Sequence, residues 1–361
     1  MMEMKQLEIG GTIINQDSDC YVIAEVGHNH QGDLQTAKRL FLAAQEAGAN
    51  AVKLQKRDNR SLFTREMYDR PYDNENSFGA TYGAHREFLE FGEAEYRELQ
   101  HYASEIGITF FATAFDFRSA DFLARLDMPA FKMASGDLTN IPLLKHVAGY
   151  QKPMFVSTGG GTLDDVRRGY DAVAAINPRV CLMQCTAAYP PEFDELNLRV
   201  ITTFMDEFPD ALIGFGSHDS GIAMALVAFV LGARVVEKHF TLNRAMKGTD
   251  HAFSLEPVGM RKMVRDLRRA RLALGDGIKS PYPTEAPPLL KMRKKLVANR
   301  DLAPGHVLTP DDVAIKSPGD GLPPYEWDNV IGRCTRVPVP AEQNIRFEDL
   351  EAEVLTDARQ H

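Results

Sequence analysis

Eight short apolar runs, each followed by a longer stretch, constrain the fold of this chain more than any other feature. The runs are rich in β-branched residues and lie at Tyr21–Glu25, Ala51–Gln55, Thr109–Thr113, Ala130–Ala134, Met154–Ser157, Val180–Cys185, Ala211–Phe215 and Arg234–His239. Stretches between them repeat apolar residues at intervals of three and four, as amphipathic helices do: Leu34–Glu46, Glu93–Ile106, Ser119–Leu126 and Leu163–Ala175. Eight strand–helix repeats over about 260 residues predict a parallel α/β fold and favour a (β/α)8 TIM barrel over an open sheet.

The composition of the chain changes after Gly275. Ser280–Pro288 contains four prolines and no helical period, which predicts a linker. Short apolar pieces separated by turn residues in Lys294–Leu350 predict a small β-rich module, and Leu7–Ile14 with its two central glycines predicts a hairpin. We therefore predict a barrel with an N-terminal β-hairpin over 1–279, a proline-rich linker over 280–292 and a β-rich domain over 293–354.

Charge and hydropathy narrow the class of protein. The formal net charge of −9 argues against a nucleic-acid-binding protein, which usually carries a basic face. No apolar run is long enough to span a bilayer, and the first residues lack the apolar segment of a signal peptide, so we expect a cytoplasmic protein without membrane partners. The four cysteines have no spacing typical of a zinc site.

Two lysines, Lys53 and Lys132, lie inside the second and fourth predicted strands. Hydroxyl and glycine residues follow at the ends of nearby strands: Ser135, Ser157 and Gly159–Gly161. Buried lysine requires an anionic partner, so this set predicts an anion site able to hold a phosphate and a carboxylate. The alternative is that each lysine extends to the barrel rim beside a local acid such as Asp137.

Two histidines, His218 and His239, end the seventh and eighth predicted strands. Adjacent strands lie about 5 Å apart, so both imidazoles could bind one divalent ion and leave coordination positions open for a Lewis-acid role. Other histidines compete for this role: His28, His30, His85 and His251. Glu237 lies in an apolar strand and either orients a ligand, holds a substrate hydroxyl, or forms an ion pair with Lys238 or Arg234.

Several polar segments follow one another along the chain: IAEVGHNHQGD (Ile23–Asp33), AVKLQ (Ala51–Gln55), FFATAFD (Phe110–Asp116), FKMASGDLTN (Phe131–Asn140), VSTGGGT (Val156–Thr162), QCTAAYP (Gln184–Pro190), GFGSHDSG (Gly214–Gly221) and VVEKHFTLNRAMKGTDHAFSLEP (Val235–Pro257). In this order they resemble the sialic acid (N-acetylneuraminate) synthase family. The tail KLVANRDLAPGHVLTPDDVAIKSPGDGLPP resembles the C-terminal antifreeze-like (SAF) domain of that family. The resemblance covers nearly the whole chain.

The resemblance implies a transferase that condenses phosphoenolpyruvate with an open-chain N-acyl amino sugar of the mannosamine type. The expected products are a nine-carbon, sialic-acid-like 3-deoxy ulosonic acid and phosphate. The resemblance also implies a divalent metal ion, commonly Mn²⁺ with Mg²⁺ or Co²⁺ as alternatives. It further implies a domain-swapped homodimer in which the SAF domain reaches the partner's active site.

The matching motifs also imply a role for each candidate residue. The metal ligands would be His218 and His239. Phosphoenolpyruvate would be held by Lys53, Thr113, Lys132, Ser135 and Ser157. The sugar side would be lined by Glu25, Gln55, Tyr189, Glu237 and Asp250. Among these we expect Glu25, Lys53 and Glu237 to act in catalysis, with Glu25 as the candidate for proton transfer.

Three positions depart from the family pattern. Ala187 replaces an asparagine and Ser317 replaces an arginine, both of which contact the sugar in the family; Gly216 removes one expected contact to phosphoenolpyruvate. The reaction is therefore better supported than the identity of the sugar. The alternatives are a related synthase for another aldose or a sugar phosphate (with Arg244 and Lys247 as the nearby cations), a metal-dependent sugar isomerase, and a non-catalytic sugar-binding barrel.

Overall fold

The computed structural model describes residues 5–352, which divide into two compact units on either side of the Gly275–Asp276 bond. The first four residues of the predicted segment 1–279 and the last two of the predicted segment 293–354 lie outside the described residues. No helix within residues 5–352 is both long and apolar enough to cross a membrane.

The first unit contains a closed barrel of eight parallel strands, each paired with the next along the chain, and the last strand closes onto the first. A two-stranded antiparallel hairpin, β1 (Gln6–Ile9) and β2 (Thr12–Asn15), precedes the barrel. The barrel strands are β3 (Tyr21–Gly27), β4 (Ala51–Lys56), β5 (Thr109–Ala114), β6 (Phe131–Met133), β7 (Met154–Ser157), β8 (Val180–Cys185), β9 (Leu212–Ser217) and β10 (Val235–His239). The prediction of a TIM barrel is confirmed.

Helices surround the barrel and begin at residues that satisfy their free N–H groups; for example, Asp33 accepts from the backbone N of Thr36 (2.8 Å). The helices of this unit are α1 (Leu34–Glu46), α2 (Asn59–Leu62), α3 (Arg65–Asp69), α4 (Tyr82–Leu89), α5 (Glu93–Ile106), α6 (Phe117–Arg125), α7 (Ile141–Ala148), α8 (Leu163–Ala174), α9 (Val200–Glu207), α10 (Ala223–Val230) and α11 (Pro257–Leu274). The long connection between β4 and β5 contains α2, α3 and α4, which the periodicity did not predict, ahead of α5, which it did.

Two layers of apolar side chains hold the barrel together. The outer layer lies between strands and helices and includes Val22, Phe41 and Leu99. The inner layer fills the barrel and also contains Leu7, Ile9 and Ile14 of the hairpin. Because apolar side chains occupy this inner layer, the polar residues that point inward are left to the carboxyl ends of the strands.

The second unit is small and β-rich, as predicted. Its antiparallel strands β11 (Lys295–Ala298) and β12 (Val313–Lys316) contribute to a separate apolar core, and a short helix α13 (Trp327–Val330) packs there. The predicted linker 280–292 is not wholly irregular, because Ala286–Met292 forms the helix α12. The two prolines of α12, Pro287 and Pro288, lie in its first turn, where the N–H groups have no acceptor within the helix and proline is tolerated.

Candidate active site

The register of the barrel strands brings polar side chains from distant parts of the sequence side by side. His239 of β10 pairs with Glu25 of β3, which pairs with Lys53 of β4. Two residues further along, Gln55 of β4 pairs with Thr113 of β5, which pairs with Lys132 of β6. Since the strands are parallel, partners in register face the same side of the sheet, and all these side chains meet at the carboxyl end of the barrel.

A cavity of about 650 Å³ opens at this end of the barrel. Every residue assigned a role from the matching family motifs lines it: Glu25, Lys53, Gln55, Thr113, Lys132, Ser135, Ser157, Tyr189, His218, Glu237, His239 and Asp250. The volume lies in the range of small-molecule sites, so the barrel end can accommodate ligands of the size expected for the two substrates.

The two lysines lie inside the barrel and do not extend to its rim. Lys53 and Lys132 are only 2% and 4% exposed. Nζ of Lys53 donates to Oγ1 of Thr113 (2.6 Å), and Nζ of Lys132 donates to Oγ of Ser157 (2.6 Å). Asp137, the alternative partner considered above, accepts instead from Asn140, so the rim-pairing alternative is wrong.

Two carboxylates neutralise the lysines. Oε2 of Glu25 lies 2.5 Å from Nζ of Lys53, and Oε1 of Glu237 lies 3.7 Å from Nζ of both Lys53 and Lys132. Burial raises the pKa of Glu25 to about 7, against the opposing effect of Lys53. Burial would also raise the pKa of Glu237, but Lys132 and Lys53 outweigh it and hold that pKa below the usual value. Glu237 therefore stays ionised, while Glu25 can gain or lose a proton near neutral pH.

The ion pair considered between Glu237 and Lys238 or Arg234 does not form. Glu237 points into the cavity, whereas Lys238 lies on the opposite face of β10 and pairs with Asp219 (2.8 Å). Lys238 also donates to Ser217 (2.7 Å), so this buried cluster belongs to the layer between strand and helix. Asp219 accordingly supports β9 and does not line the cavity.

His218 and His239 are the described side chains best suited to hold a divalent ion. Their ring centroids lie 5.4 Å apart, and burial lowers the pKa of both, so both rings are neutral. Nδ1 of His218 donates to the carbonyl of Thr186 (2.9 Å), which leaves Nε2 as the lone-pair nitrogen. Nδ1 of His239 is buried without a hydrogen-bond partner among the described residues. Unpartnered neutral nitrogens are what a metal ion requires.

Within residues 5–352 no group of three or more His, Cys, Asp or Glu side chains converges as a metal-binding cluster. Two of the competing histidines, His30 and His251, are engaged elsewhere. The ring of His30 stacks on Phe91 (centroids 4.2 Å apart), and Nδ1 of His251 contacts Oγ1 of Thr241 (2.7 Å). An ion at His218 and His239 would therefore have only two imidazole ligands and several positions left for substrate or water.

Residues assigned to the sugar side gather around Gly27. A Cβ atom at Gly27 would lie 3.2 Å from Oε1 of Glu25, 3.3 Å from Nε2 of Gln55 and 3.7 Å from Oδ2 of Asp250. With φ at +53°, the backbone there also favours glycine. Across the cavity, the ring of Tyr189 stacks on His218 with centroids 4.1 Å apart. Polar groups therefore surround the part of the cavity next to Gly27 on several sides.

The connection between β4 and β5 adds residues that the sequence reasoning missed. Arg57 follows β4, Arg86 lies on α4, and both line the cavity. His28 and His85, considered above only as metal candidates, line it as well. Arg57 continues the alternation Lys53, Gln55, Arg57, so strand periodicity extended by one step would have indicated it. Arg86 carries no comparable signal, because helix α4 was not predicted.

Arg244, named above as a cation for a sugar phosphate, does not line the cavity. Its side chain is exposed and donates from Nε to the carbonyl of Ala252 (2.6 Å). Lys247 is exposed too, and its Nζ lies 4.8 Å from the ring centre of Phe78. The prediction for Arg244 is therefore wrong, because a backbone acceptor outside the cavity holds its guanidinium.

Family models match both parts of the chain. The NeuB family matches residues 40–279, and the SAF domain matches residues 293–351. The human N-acetylneuraminate-9-phosphate synthase is 40% identical over 339 residues, which cover 94% of each chain. The N,N'-diacetyllegionaminic acid synthase of Legionella pneumophila is 35% identical, covering 92% of this chain and 95% of the relative.

Solved structures agree with these matches. The N-acetylneuraminic acid (sialic acid) synthetase of Leptospira borgpetersenii, in complex with citrate, superposes with a TM-score of 0.69 at 29% identity. The superposition covers 80% of this chain and 97% of the Leptospira chain. A 3-deoxy-D-arabino-heptulosonate 7-phosphate synthase from Thermotoga maritima shares only the fold, at 14% identity and a TM-score of 0.57. The chain belongs to the NeuB family and carries a SAF domain at its carboxyl end.

Proposed function

We propose that the protein condenses phosphoenolpyruvate with an open-chain N-acyl amino sugar of the mannosamine type, giving a nine-carbon, sialic-acid-like 3-deoxy ulosonic acid and phosphate. One observation carries the proposal: a single cavity contains both the lysine–hydroxyl group and the two neutral histidines. A condensation needs both substrates in one cavity with their reacting carbons adjacent. The named relatives are synthases, so the chain is an enzyme of this carbon–carbon bond-forming transferase class.

The lysine side of the cavity suits phosphoenolpyruvate, a small molecule with a carboxylate and a phosphate. Lys53 and Lys132 supply two ammonium groups, and Thr113 and Ser157 supply hydroxyls already in hydrogen-bond contact with them. Charge-assisted hydrogen bonds of this kind are stronger than neutral ones, especially where water is excluded. Because Glu237 lies 3.7 Å from both ammonium groups, it fixes their positions before the substrate arrives.

The histidine side suits the sugar aldehyde. A divalent ion, Mn²⁺ with Mg²⁺ or Co²⁺ as alternatives, held by His218 and His239 would supply Lewis-acid polarisation of the aldehyde. Glu25, Gln55 and Asp250 surround the adjacent space and would bind sugar hydroxyls. Carbon C3 of phosphoenolpyruvate attacks the aldehyde carbon, water adds to the electron-deficient C2, and collapse of the adduct releases inorganic phosphate by cleavage of the C2–O bond. Glu25, with a pKa near 7, would carry the proton.

The names of the relatives leave the sugar open. The human relative is named for a 9-phosphate, whereas the Legionella relative is named for a diacetylated acid without phosphate. Two family contacts to the sugar are also missing here, at Ala187 and Ser317. In the second unit, Nζ of Lys294 donates to Oγ of Ser317 (2.7 Å), so a cation stands beside the position where the family has arginine.

The deciding experiment measures phosphate release and product mass after incubation with phosphoenolpyruvate, Mn²⁺ and mannosamine-type sugars. We expect a nine-carbon product and, for Lys132→Gln, a KM for phosphoenolpyruvate raised at least about tenfold, since one charge-assisted contact is lost. The matched control Lys38→Gln removes a partly exposed ammonium outside the cavity that pairs with Glu98, and it should leave that KM unchanged.

Three results would count against this function. Sugar isomerisation without phosphoenolpyruvate would indicate an isomerase, and phosphoenolpyruvate binding without turnover would indicate a non-catalytic barrel. A product from another aldose would indicate a related synthase. The swapped homodimer also stays a proposal, which light scattering coupled to size exclusion can test.

A further inference from the structure

Two arginines line the outer part of the cavity without a carboxylate partner. Arg57 is 8% exposed and Arg86 is half-buried. Among residues 5–352, neither guanidinium forms an ion pair with an acidic side chain, although both face the cavity in which the sugar is proposed to bind. A buried guanidinium without a counter-charge is costly, so its retention calls for an anionic ligand.

Neutral groups alone contact these guanidiniums. Nη2 of Arg57 donates to Oε1 of Gln55 (2.8 Å), and its guanidinium lies 3.7 Å from the ring centre of Phe115. Arg86 donates from Nε and Nη2 to the hydroxyl of Tyr82 (3.0 and 2.8 Å). None of these partners carries a negative charge, so no direct contact neutralises either cation.

The imidazole of His28 lies between the two arginines. Its Nε2 is 3.3 Å from Nη1 of Arg57, and its Nδ1 is 3.2 Å from Nη1 of Arg86. Burial and then the two guanidiniums lower the pKa of His28 well below its usual value, so the ring is neutral. A neutral imidazole has one acceptor nitrogen, and guanidinium groups only donate. At most one of the two contacts is therefore a hydrogen bond, and the cluster contains more donors than acceptors.

Two nearby carboxylates, Glu90 and Asp250, form no ion pair with either guanidinium, although Oε1 of Glu90 lies 3.6 Å from Nε2 of His28. Oε2 of Glu90 accepts from Nζ of Lys56 (3.0 Å) and from the backbone N of Arg57 (3.2 Å). Asp250 lies 3.7 Å from Nδ1 of His239, on the histidine side. Burial, and then the charge of Arg86, lower the pKa of Arg57 to about 10 even though Glu90 and Asp250 act in the opposite direction.

The position of the cluster relative to the reacting groups limits what it can bind. Gln55 donates to Oε1 of Glu25 (2.7 Å) and accepts from Arg57, so one amide separates the catalytic carboxylate from the first guanidinium. Phosphoenolpyruvate has its own cations in Lys53 and Lys132, at the inner end of the cavity. The arginines therefore face the other substrate, at the end remote from its aldehyde.

We propose that Arg57 and Arg86, with His28 between them, bind a phosphate monoester on the terminal carbon of the sugar, so that the acceptor is an N-acyl amino sugar 6-phosphate. This inference rests on the proposed function and specifies its substrate class. A phosphate dianion offers acceptors to both guanidiniums at once and matches their forked donors. The nine-carbon product would then retain the phosphate at its terminal carbon, and the inorganic phosphate released would come only from phosphoenolpyruvate.

The test compares N-acetylmannosamine 6-phosphate with N-acetylmannosamine, at saturating phosphoenolpyruvate with Mn²⁺ present. The quantity measured is the ratio of kcat/KM for the two sugars, which does not depend on the fraction of correctly folded enzyme. We expect the wild-type ratio to favour the phosphorylated sugar and Arg86→Gln to lower it at least about tenfold. Arg97→Gln, a matched change on the exposed face of α5, should leave the ratio unchanged.

Opposite outcomes are distinguishable. A wild-type ratio near one, or a ratio unaffected by Arg86→Gln, would overturn the phosphate site while leaving the condensation intact. If neither sugar turns over, the proposed function fails. Calorimetric titration of the two sugars without phosphoenolpyruvate then tests the phosphate site on its own. Tighter binding of the 6-phosphate that weakens in Arg86→Gln would support the site, and equal binding of both sugars would refute it.

Discussion

The ammonium group of Lys53 lies 2.5 Å from a carboxylate oxygen of Glu25, and both side chains are at most 2% exposed. The two residues occupy neighbouring positions in the register of β3 and β4. Their contact joins the lysines proposed for phosphoenolpyruvate to the carboxylate and amide groups proposed for the sugar. The group proposed to carry the proton and one of the groups proposed to bind the anion are therefore in direct contact.

Glu25→Gln should lower kcat by about 10²–10⁴-fold, because the amide keeps the shape of the side chain but cannot carry the proton. Phosphoenolpyruvate should still bind, since Lys132 and Ser157 are unchanged. Stopped-flow or endpoint phosphate release gives kcat, and calorimetric titration gives the affinity. Glu98→Gln, an exposed change on α5, is the control. Wild-type turnover in Glu25→Gln would remove Glu25 from the chemistry.

His239→Ala should abolish metal-dependent turnover and weaken Mn²⁺ binding, because it removes one of two imidazole ligands. Electron paramagnetic resonance of free Mn²⁺ measures binding without relying on activity. The control is His101→Ala, whose side chain is 77% exposed on α5. Turnover equal to wild type in His239→Ala, with metal chelated, would end the assignment of this residue as a ligand.

Gly216→Ser should lower the KM for phosphoenolpyruvate about two- to fivefold, by adding a hydroxyl beside the lysine group. The structure has room for it, since a Cβ at Gly216 would lie 3.6 Å from Cβ of Cys185 and 3.7 Å from Oγ of Ser157. Both distances are ordinary van der Waals contacts. Initial-rate kinetics at saturating sugar measure the change. A raised KM would mean that the phosphoenolpyruvate subsite does not extend to β9.

Asp312 should make the free energy of unfolding of the second unit depend on pH in the acidic range. It is fully buried and accepts from Nε2 of His306 (2.8 Å), Oγ1 of Thr309 (2.7 Å) and Nε of Arg300 (2.7 Å). Burial alone would raise the pKa of Asp312, but these hydrogen bonds outweigh it and hold the pKa well below its usual value. The stabilisation is therefore complete above the unfolded pKa of about 3.9 and is lost as the pH falls below it.

Asp312→Asn should accordingly lower the free energy of unfolding by about 1.5–3 kcal/mol at pH 7, and by less at pH 3. Differential scanning calorimetry at the two pH values measures the difference. Asp328→Asn, an exposed change in α13, serves as the control. A loss for Asp312→Asn that is equal at both pH values would show that its ionisation does not contribute.

Much of the fold was predictable because barrel strands and their helices have strong periodic patterns. The bounds predicted for α1, α5, β7 and β8 are those observed. Helices α2, α3 and α4, which precede α5 in the connection between β4 and β5, were not predicted, since they are short and α2 and α3 have no room for an amphipathic repeat. Arg86 was missed for this reason alone.

The sequence by itself determined which residues end the strands and which face of each strand they occupy, because side chains alternate with a period of two. It therefore placed His218, His239, Lys53 and Lys132 at one end of the barrel. Only the tertiary structure decided their partners. Glu237 neutralises both lysines and not the adjacent Lys238, and Arg57 meets Arg86 at His28. Periodicity specifies the face of a strand from which a side chain points. Which side chains then meet depends on barrel closure and on how a long connection packs.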